Sequence, residues 1–555
     1  MMAQSRPQFD ILIIGSGPSG SHAALEAAST GHKVALLDIG YSASGPAELI
    51  PNLPFSEIRA TDPNQNRYFL GDDPITVLRN QDRGGTHLTP ARQYMIRDME
   101  KLFPLESTSF APLQSTGAGG LGISWGANCV ALEDFELKKI GIPDGALRSY
   151  YAKVAREIGI SGAADDLLAP FIANIDPGVI QPPLPMDTNA ATLLRSYQAK
   201  QNKHIRRGFY LGRSLLAMLS QAKDDRQVNP QFDMDFWTDA GRSVYRPQYS
   251  IEKLEKMPNV TRLSGRLAVR LQDDAEGASV NCIRLDMNSG ETFSARKILL
   301  AAGAINSGRL ALASFGGDDR KLPILCNPNH WVACINLAML GKPARDSRHS
   351  LAQLTLLMKT ELEGPDYLLA HIYSYRSLLW FRLLKNIPLP PKLALRFLRL
   401  VGTAFTCVNI HFPDHPSAGR WIKVKNSGGR SVVQAECEFS AAEKEWVIRN
   451  ERRLLLFLTS LGCLPLGTTR PLHGASIHYA GTLPYSEEDE PFTTHISGRL
   501  HGTHNIYIAD GSNWRFLPAK GLTLTLMANA RRIAAHAVRE LSKSPAAEQP
   551  AQTIS

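Results

Sequence analysis

The sequence has few cysteines, and their spacing fits neither a metal site nor a disulfide framework. No two of them form a CxxC pair, whereas zinc sites and small disulfide-rich domains need closely spaced cysteines. We therefore expect free thiols, a reducing compartment and no metal. The seven positions are Cys129, Cys282, Cys326, Cys334, Cys407, Cys437 and Cys463.

Long hydrophobic runs are also missing. No apolar stretch reaches the roughly twenty residues that a membrane-spanning helix requires. The first apolar run, FDILIIGSG, contains Asp10 and leads directly into a glycine loop, which is not typical of a signal peptide. We therefore expect a cytoplasmic protein. The segment 541–555 is polar and rich in proline and alanine, which predicts a disordered tail.

Positive charge is concentrated in one segment. The chain carries a formal charge of +9, and residues 376–400 hold six Lys or Arg and no acid. Such a distribution argues against a nucleic-acid partner, which would need a broad basic face. Prolines at 388, 390 and 391 divide this apolar insertion, 376–402, into two short amphipathic helices. Two interpretations stay open: a lid packed on the protein, or peripheral contact with anionic lipid on the inner face of the membrane.

The N-terminus predicts a dinucleotide-binding unit. A buried strand at Phe9–Ile14 is followed by the loop GSGPSG, an alanine-rich helix, and a second strand that ends at Asp38. The loop glycines Gly15, Gly17 and Gly20 allow a pyrophosphate to approach the helix N-terminus, and Asp38 is placed to bind a ribose hydroxyl.

A second glycine motif, Gly117 to Gly122, does not predict a nicotinamide site. Pro112 interrupts the segment before it and no helix follows, so we expect a loop that packs against the cofactor ring, or a plain surface loop. Two later strands end at Gly303 and at Asp510-Gly511. Because parallel strands of one sheet end at the same edge, these residues should return to the cofactor crevice.

Four motifs together resemble the glucose-methanol-choline (GMC) family of FAD-dependent oxidoreductases, most closely its sugar-oxidising bacterial branch. They are GSGPSG with Asp38, GGLGISWGANC, ILLAAGAINSGRL, and SIHYAGT followed by ADGSNWRFLPAKGLTLTLMANA. The resemblance implies FAD on an α/β Rossmann-like domain built from residues 8–165, 250–315 and 500–540. It also implies an inserted α+β substrate domain on an antiparallel sheet, at 166–249 and 316–499.

The segment 351–436 supports that division independently. It reads as short strands separated by Gly, Pro and Asp turns, and a helix bounded by Ser440 and Gly462 follows.

The resemblance implies oxidation of a CH–OH group of a carbohydrate or amphiphilic alcohol, such as a lipid-linked sugar. His478 is the implied base, a role that suits histidine because its pKa lies near neutrality, and His473 is its rival. The family places a second His or Asn beside the base, but Gly521 stands there. Lys520, His473, Tyr479 or a water could hold the substrate oxygen instead. Otherwise the chain has altered redox chemistry, keeps FAD only for structure, or binds membranes.

The predicted cofactor-binding residues are spread over all four motifs. They are Gly15, Gly17, Pro18, Ser19, Gly20, Asp38, Gly119, Gly120, Ser124, Asn128, Leu267, Gly303, Asp510, Gly511 and Thr523.

Overall fold

The computed structural model describes residues 7–43, 50–70, 88–163, 165, 167, 174–238, 240–317, 319–343, 348–361, 366–373, 389–390, 392–393, 396, 401–427 and 430–543. Apart from isolated positions, the basic segment 376–400 lies outside these ranges, so both interpretations of it stay predictions. The tail beyond residue 543 lies outside them as well.

The strands are β1 (Phe9–Ile14), β2 (Val34–Leu37), β3 (Leu105–Glu106), β4 (Ile160–Ser161), β5 (Ile180–Gln181), β6 (Phe209–Arg213), β7 (Val260–Leu263), β8 (Arg266–Asp273), β9 (Ala278–Arg284), β10 (Ser289–Leu300), β11 (Leu322–Pro323), β12 (Leu325–Cys326), β13 (Asn329–Asn336), β14 (Ala352–Lys359), β15 (Tyr367–Tyr373), β16 (Phe405–His411), β17 (Arg420–Ser427), β18 (Arg430–Cys437), β19 (Cys463–Thr469), β20 (Tyr479–Ala480) and β21 (Ile506–Ile508).

The α-helices are α1 (Pro18–Ala28), α2 (Phe55–Thr61), α3 (Asn66–Leu70), α4 (Met99–Leu102), α5 (Asp134–Ile140), α6 (Arg148–Ile158), α7 (Thr188–Gln198), α8 (Gln201–Arg206), α9 (Pro247–Glu255), α10 (Ala304–Phe315), α11 (Ala441–Ser460) and α12 (Thr523–Lys543). Within the described ranges, no helix combines the length and the apolar character needed to cross a bilayer. Helix α12 continues to Lys543, so it includes the first three residues of the segment expected to be disordered.

The first sheet has the order β7-β2-β1-β10-β9-β8, and β21 pairs with the carboxyl end of β10. Strands β7, β2, β1, β10 and β21 are parallel, whereas β8 and β9 extend the sheet in antiparallel fashion. The central strands are buried on both faces, which explains their continuous apolar sequences. The strands of this sheet come from three separate parts of the chain, which lie within the predicted ranges 8–165, 250–315 and 500–540. These domain limits themselves stay a prediction.

The second sheet is antiparallel, with the order β19-β13-β16-β15-β14-β6. Side chains alternate along β16: Val408, Ile410 and Phe412 enter an apolar core with helices α7 and α11, while Asn409 and His411 line a cavity on the other face. The predicted fold class is therefore confirmed: an α/β Rossmann-like domain, which was expected to bind FAD, beside an α+β unit on an antiparallel sheet.

Helix α11 begins and ends as its sequence predicts. Ser440 Oγ accepts a hydrogen bond from the Glu443 amide at 3.2 Å, and the Glu443 carboxylate accepts one from the Ser440 amide at 2.7 Å. This reciprocal pair is a capping box. The helix ends at Ser460, shortly before Gly462, whose φ is +84°.

The predicted strands at 420–426 and 431–439 do not join the second sheet. They form β17 and β18 of a separate four-stranded sheet with the order β11-β17-β18-β3. Ile422, Val424 and Val433 pack into the apolar core around β1 and α10 instead. Alternation alone predicts strands, but it does not say which sheet they join.

A buried charge network fixes helix α1, whose N-terminus borders the cavity. Arg531 of α12 is fully buried, and it donates hydrogen bonds to His22 Nδ1 at 3.0 Å and to Glu26 Oε2 at 2.7 Å. It also donates to Glu157 of α6. Because both partner carboxylates reach one guanidinium, three helices are held in a fixed relation at this edge.

Candidate active site

One large cavity lies between the carboxyl edge of the parallel sheet and the polar face of the antiparallel sheet. Its empty volume is about 1810 Å³, solvent at the mouth included. The glycine loop after β1 and the residues after β10 form one wall, and β15 and β16 contribute His371, Asn409 and His411 to the opposite wall. The cavity therefore joins the predicted cofactor loop to a polar surface.

The glycine loop is shaped by backbone contacts. A Cβ on Gly20 would lie 1.8 Å from the Gly15 carbonyl oxygen, so this position must stay glycine for the loop to pack. At Gly17 a Cβ would meet nothing closer than 3.9 Å, and Gly17 lines the cavity. Gly17 therefore leaves room for a ligand at the start of α1, which no side chain caps.

Asp38 fits the ribose-binding role expected of it. Its Oδ2 accepts a hydrogen bond from Arg262 at 2.6 Å and another from Ser16 Oγ. Its Oδ1 is buried and has no partner among the described residues. Since a buried carboxylate oxygen without a donor is costly, this atom suits a hydroxyl of a bound nucleotide. The residues present thus fit FAD.

Asp510 ties the cavity wall together. Its Oδ2 accepts hydrogen bonds from the Gly303 amide at 2.7 Å and from Ser307 Oγ at 2.6 Å. Its Oδ1 accepts from the Ser512 amide at 2.9 Å. The carboxylate therefore joins the end of β21 to the start of α10, and it shapes the cavity that Asp510 and Gly511 line.

His478 lies on the cavity beside Asn327, because β12 and β20 are paired just next to them. Cys326 is opposite Tyr479 in this antiparallel pair, which puts the next residues, Asn327 and His478, side by side. His478 Nδ1 is 3.1 Å from Asn327 Oδ1. The pairing of β12 with β20 thus positions His478 next to Asn327.

The surroundings of Asn327 decide which nitrogen of His478 carries the proton. Asn327 Nδ2 lies among three backbone carbonyl oxygens, those of Phe412, Leu517 and Pro518, which can only accept. Its Oδ1 must therefore face His478 as an acceptor, and His478 Nδ1 must donate.

Nε2 of His478 is therefore free of a proton whenever the ring is neutral. Burial lowers the pKa of His478 to about 4, so the ring is neutral at neutral pH. Nε2 makes no hydrogen bond to the described residues. A neutral imidazole with an available nitrogen on a cavity wall can act as a general base.

Backbone strain marks the same site. Ile477, directly before His478, has φ +55°, and Ala127, directly before Asn128, has φ +59°. A β-branched residue in this region is rare, and such conformations cost on the order of 1–3 kcal/mol each. Both strained residues precede side chains that line the cavity. Strain of this kind is common at functional sites, where the surrounding structure enforces it.

The residues proposed to replace the missing partner lie elsewhere or are engaged. Lys520 is fully buried, and its ammonium contacts Glu133 at 3.0 Å and Glu136 at 2.6 Å, outside the cavity lining. His473 stacks on Phe439 and does not line the cavity. Burial lowers the pKa of His473 to about 4.

Tyr479 lines the cavity, but its hydroxyl already donates one hydrogen bond and accepts another. It donates to the Gly474 carbonyl at 2.5 Å and accepts from the Leu113 amide at 2.9 Å. Gly521 also lines the cavity, and a Cβ there would lie 3.0 Å from the Asn128 carbonyl oxygen.

Most predicted cofactor residues are brought together. The cavity is lined by Gly15, Gly17, Pro18, Ser19, Asp38, Gly120, Asn128, Leu267, Gly303, Asp510, Gly511 and Thr523. Gly20, Gly119 and Ser124 are not part of the lining. Gly119 donates its amide to Ser16 Oγ at 3.2 Å, and the buried Ser124 hydroxyl lies 2.8 Å from Met95 Sδ. These residues support the lining loops from behind.

Sequence reasoning missed five residues of the site. Asn409, His411 and His371 are polar residues at alternate positions of apolar strands, a pattern that predicts one polar face. Asn327 has no comparable signal. Buried Arg309 lines the cavity with no acidic partner among the described residues, and burial lowers its pKa to about 10.

Comparison with known proteins supports the cofactor. The family described as FAD binding domain matches residues 10–51. Among solved structures, pyridoxine 4-oxidase from Mesorbium loti is similar, with a TM-score of 0.52. The chain therefore carries an FAD-binding domain, and its fold is similar to that of this oxidase.

The structural similarity extends over nearly the whole chain. It covers 95% of this chain and 99% of the other at 15% sequence identity, so it establishes the fold. A search of curated protein sequences finds no significant match. The family match supports an FAD site in this chain, and the structural similarity supports the fold that the four motifs predict.

Proposed function

We propose that the protein oxidises a CH–OH group of a polar alcohol, with FAD as the hydride acceptor and His478 as the base. The observation that carries this proposal is the neutral His478 ring on the cavity that the glycine loop also lines, with Nδ1 directed to Asn327 Oδ1 at 3.1 Å. Bound FAD would supply the hydride acceptor for the alcohol carbon, and His478 Nε2 would take the hydroxyl proton, so that the product would be an aldehyde or ketone.

The cavity wall opposite the glycine loop supports a polar substrate. It presents Asn329, His371, Asn409 and His411, all buried, to the cavity. A buried polar surface of this size needs a ligand with hydroxyls or similar groups to satisfy it. A carbohydrate meets this requirement. So does pyridoxine, for which the similar oxidase is named. The amphiphilic class rests on segment 376–400 and stays a prediction.

The test is anaerobic reduction of the FAD-loaded protein by candidate alcohols, followed as bleaching of the visible flavin absorbance. Aldoses, polyols and pyridoxine form the first panel. His478→Ala should slow reduction at least about a hundredfold while FAD stays bound, the usual size of a general-base contribution. His473→Ala is the matched control and should reduce at the wild-type rate.

Two results would contradict the proposal. A wild-type flavin that no alcohol bleaches would favour altered redox chemistry or a structural role for FAD. Equal rates in His478→Ala and wild type would remove His478 from the chemistry.

A further inference from the structure

The site has a base but lacks the usual second group that holds the substrate oxygen. Gly521 has no side chain, Lys520 is paired with Glu133 and Glu136, and His473 lies off the cavity. The hydroxyl of Tyr479 is engaged by two backbone groups. A side-chain donor for the oxygen would therefore come from another wall.

His411 lies on that other wall, next to the base. Its ring stacks on His478 with centroids 5.1 Å apart and planes inclined by 25°. His371 follows at 5.8 Å from His411, edge to face. The burial and neighbours of His371 lower its pKa to about 3, and His478 is among the groups responsible. Three histidines thus form a row along the cavity.

The strand register explains why this row is rigid. His411 pairs with Leu369 of β15 and with Asn329 of β13, so its backbone is held from both sides. Asn409, two residues earlier on the same face, has a buried Oδ1 without a partner among the described residues. An unsatisfied amide oxygen on a cavity wall indicates that this face receives a polar ligand.

We propose that His411 is the second catalytic residue, which donates an N–H to the alcohol oxygen that His478 deprotonates. This proposal rests on the function proposed above. Because the two rings are nearly parallel, each can direct one ring nitrogen toward the same alcohol oxygen at their edges. His478 Nε2 then accepts the proton, and His411 stabilises the negative charge that develops on the oxygen. Losing one such donor typically costs about a hundredfold to a thousandfold in rate.

The experiment uses the FAD-loaded protein and two readouts. The first is binding of acetate, a small oxyanion, titrated through its effect on the flavin absorbance in acetate-free buffer. His411→Leu should weaken acetate binding about tenfold to a hundredfold, since it removes one hydrogen bond to a charged group. His411→Asn keeps an N–H donor and should recover most of the affinity. The off-cavity variant His473→Leu should bind acetate like the wild type.

The second readout is flavin reduction by the best alcohol. His411→Leu should lower kcat about a hundredfold to a thousandfold with little change in KM, and His411→Asn should restore at least tenfold. Acetate affinity within twofold of wild type in His411→Leu, with FAD content intact, would overturn the proposal. Acetate binding that depends on His411 in a protein that no alcohol reduces would overturn the proposed function alone and leave the oxygen site standing.

Discussion

The pH dependence of flavin reduction is a direct test of the His478 environment. Burial lowers the pKa of His478 from its usual 6.5 to about 4. A difference of that size corresponds to about 3 kcal/mol favouring the neutral ring. At pH 7 there should be roughly a thousand neutral rings for each protonated one. The base is therefore available through the whole neutral range.

We expect reduction to be independent of pH from about 5.5 to 7.5 as far as His478 is concerned. Below about pH 4 the rate should fall about tenfold for each pH unit, because only the neutral ring can accept the hydroxyl proton. His478→Ala should lack this acidic limb at its lower rate. A half-maximal rate near pH 6.5 in the wild type would refute the reasoning, since it would mean that the ring titrates as an exposed histidine does.

Acid unfolding must be separated from this titration. Desolvation also lowers the pKa of other histidines, to about 4 for His349 and His473 and to about 3 for His371. The native state then binds fewer protons than the unfolded state, so stability falls as pH drops below about 6.5. Protonation costs about 3 kcal/mol for His349 and for His473, and nearly 5 kcal/mol for His371, once the pH is below the native pKa. Enzyme kept at pH 7 should therefore be mixed with acidic substrate and read within milliseconds.

Three further substitutions test the geometry. Asn327→Leu removes the acceptor that holds the proton on Nδ1, so we expect flavin reduction to slow about tenfold or more while FAD stays bound; unchanged kinetics would show that the tautomer is fixed by other groups. Gly17→Val should leave a folded protein with weakened FAD affinity, measured by fluorescence titration, whereas Gly20→Ala should unfold it because of the 1.8 Å contact with Gly15. Tight FAD binding by Gly17→Val would contradict the placement of the pyrophosphate.

The sequence predicted the fold where local pattern and topology agree. Local pattern was sufficient at the N-terminus, where a strand, a glycine loop and an acid were each predicted from their own residues. The structure places Phe9–Ile14 in the parallel sheet, with the glycine loop and Asp38 at the carboxyl ends of its strands. The capping box at Ser440 likewise predicted a helix start to the residue. Such features depend on neighbours within a few positions, which a single sequence contains.

The candidate site was only half predictable, because its other half depends on pairing between distant strands. Asn327 meets His478 through the β12–β20 pair, across 151 positions of sequence. Lys520 was misplaced for the same reason, because its partners are distant in sequence. It was expected near the substrate oxygen, but its ammonium pairs with Glu133 and Glu136 at the start of helix α5. Charge partners of this kind cannot be read from spacing.

Glycine at position 521 is required by the backbone opposite it. A Cβ there would lie 3.0 Å from the Asn128 carbonyl oxygen, closer than an ordinary van der Waals contact. That carbonyl cannot easily retreat, because the Ala127 carbonyl accepts the Ala217 amide at 2.7 Å and the Cys129 amide donates to Leu215 at 2.9 Å. The left-handed Ala127 restricts the segment further. With side chains restricted at this wall, we expect the group that holds the substrate oxygen on the antiparallel sheet, where His411 and His371 lie.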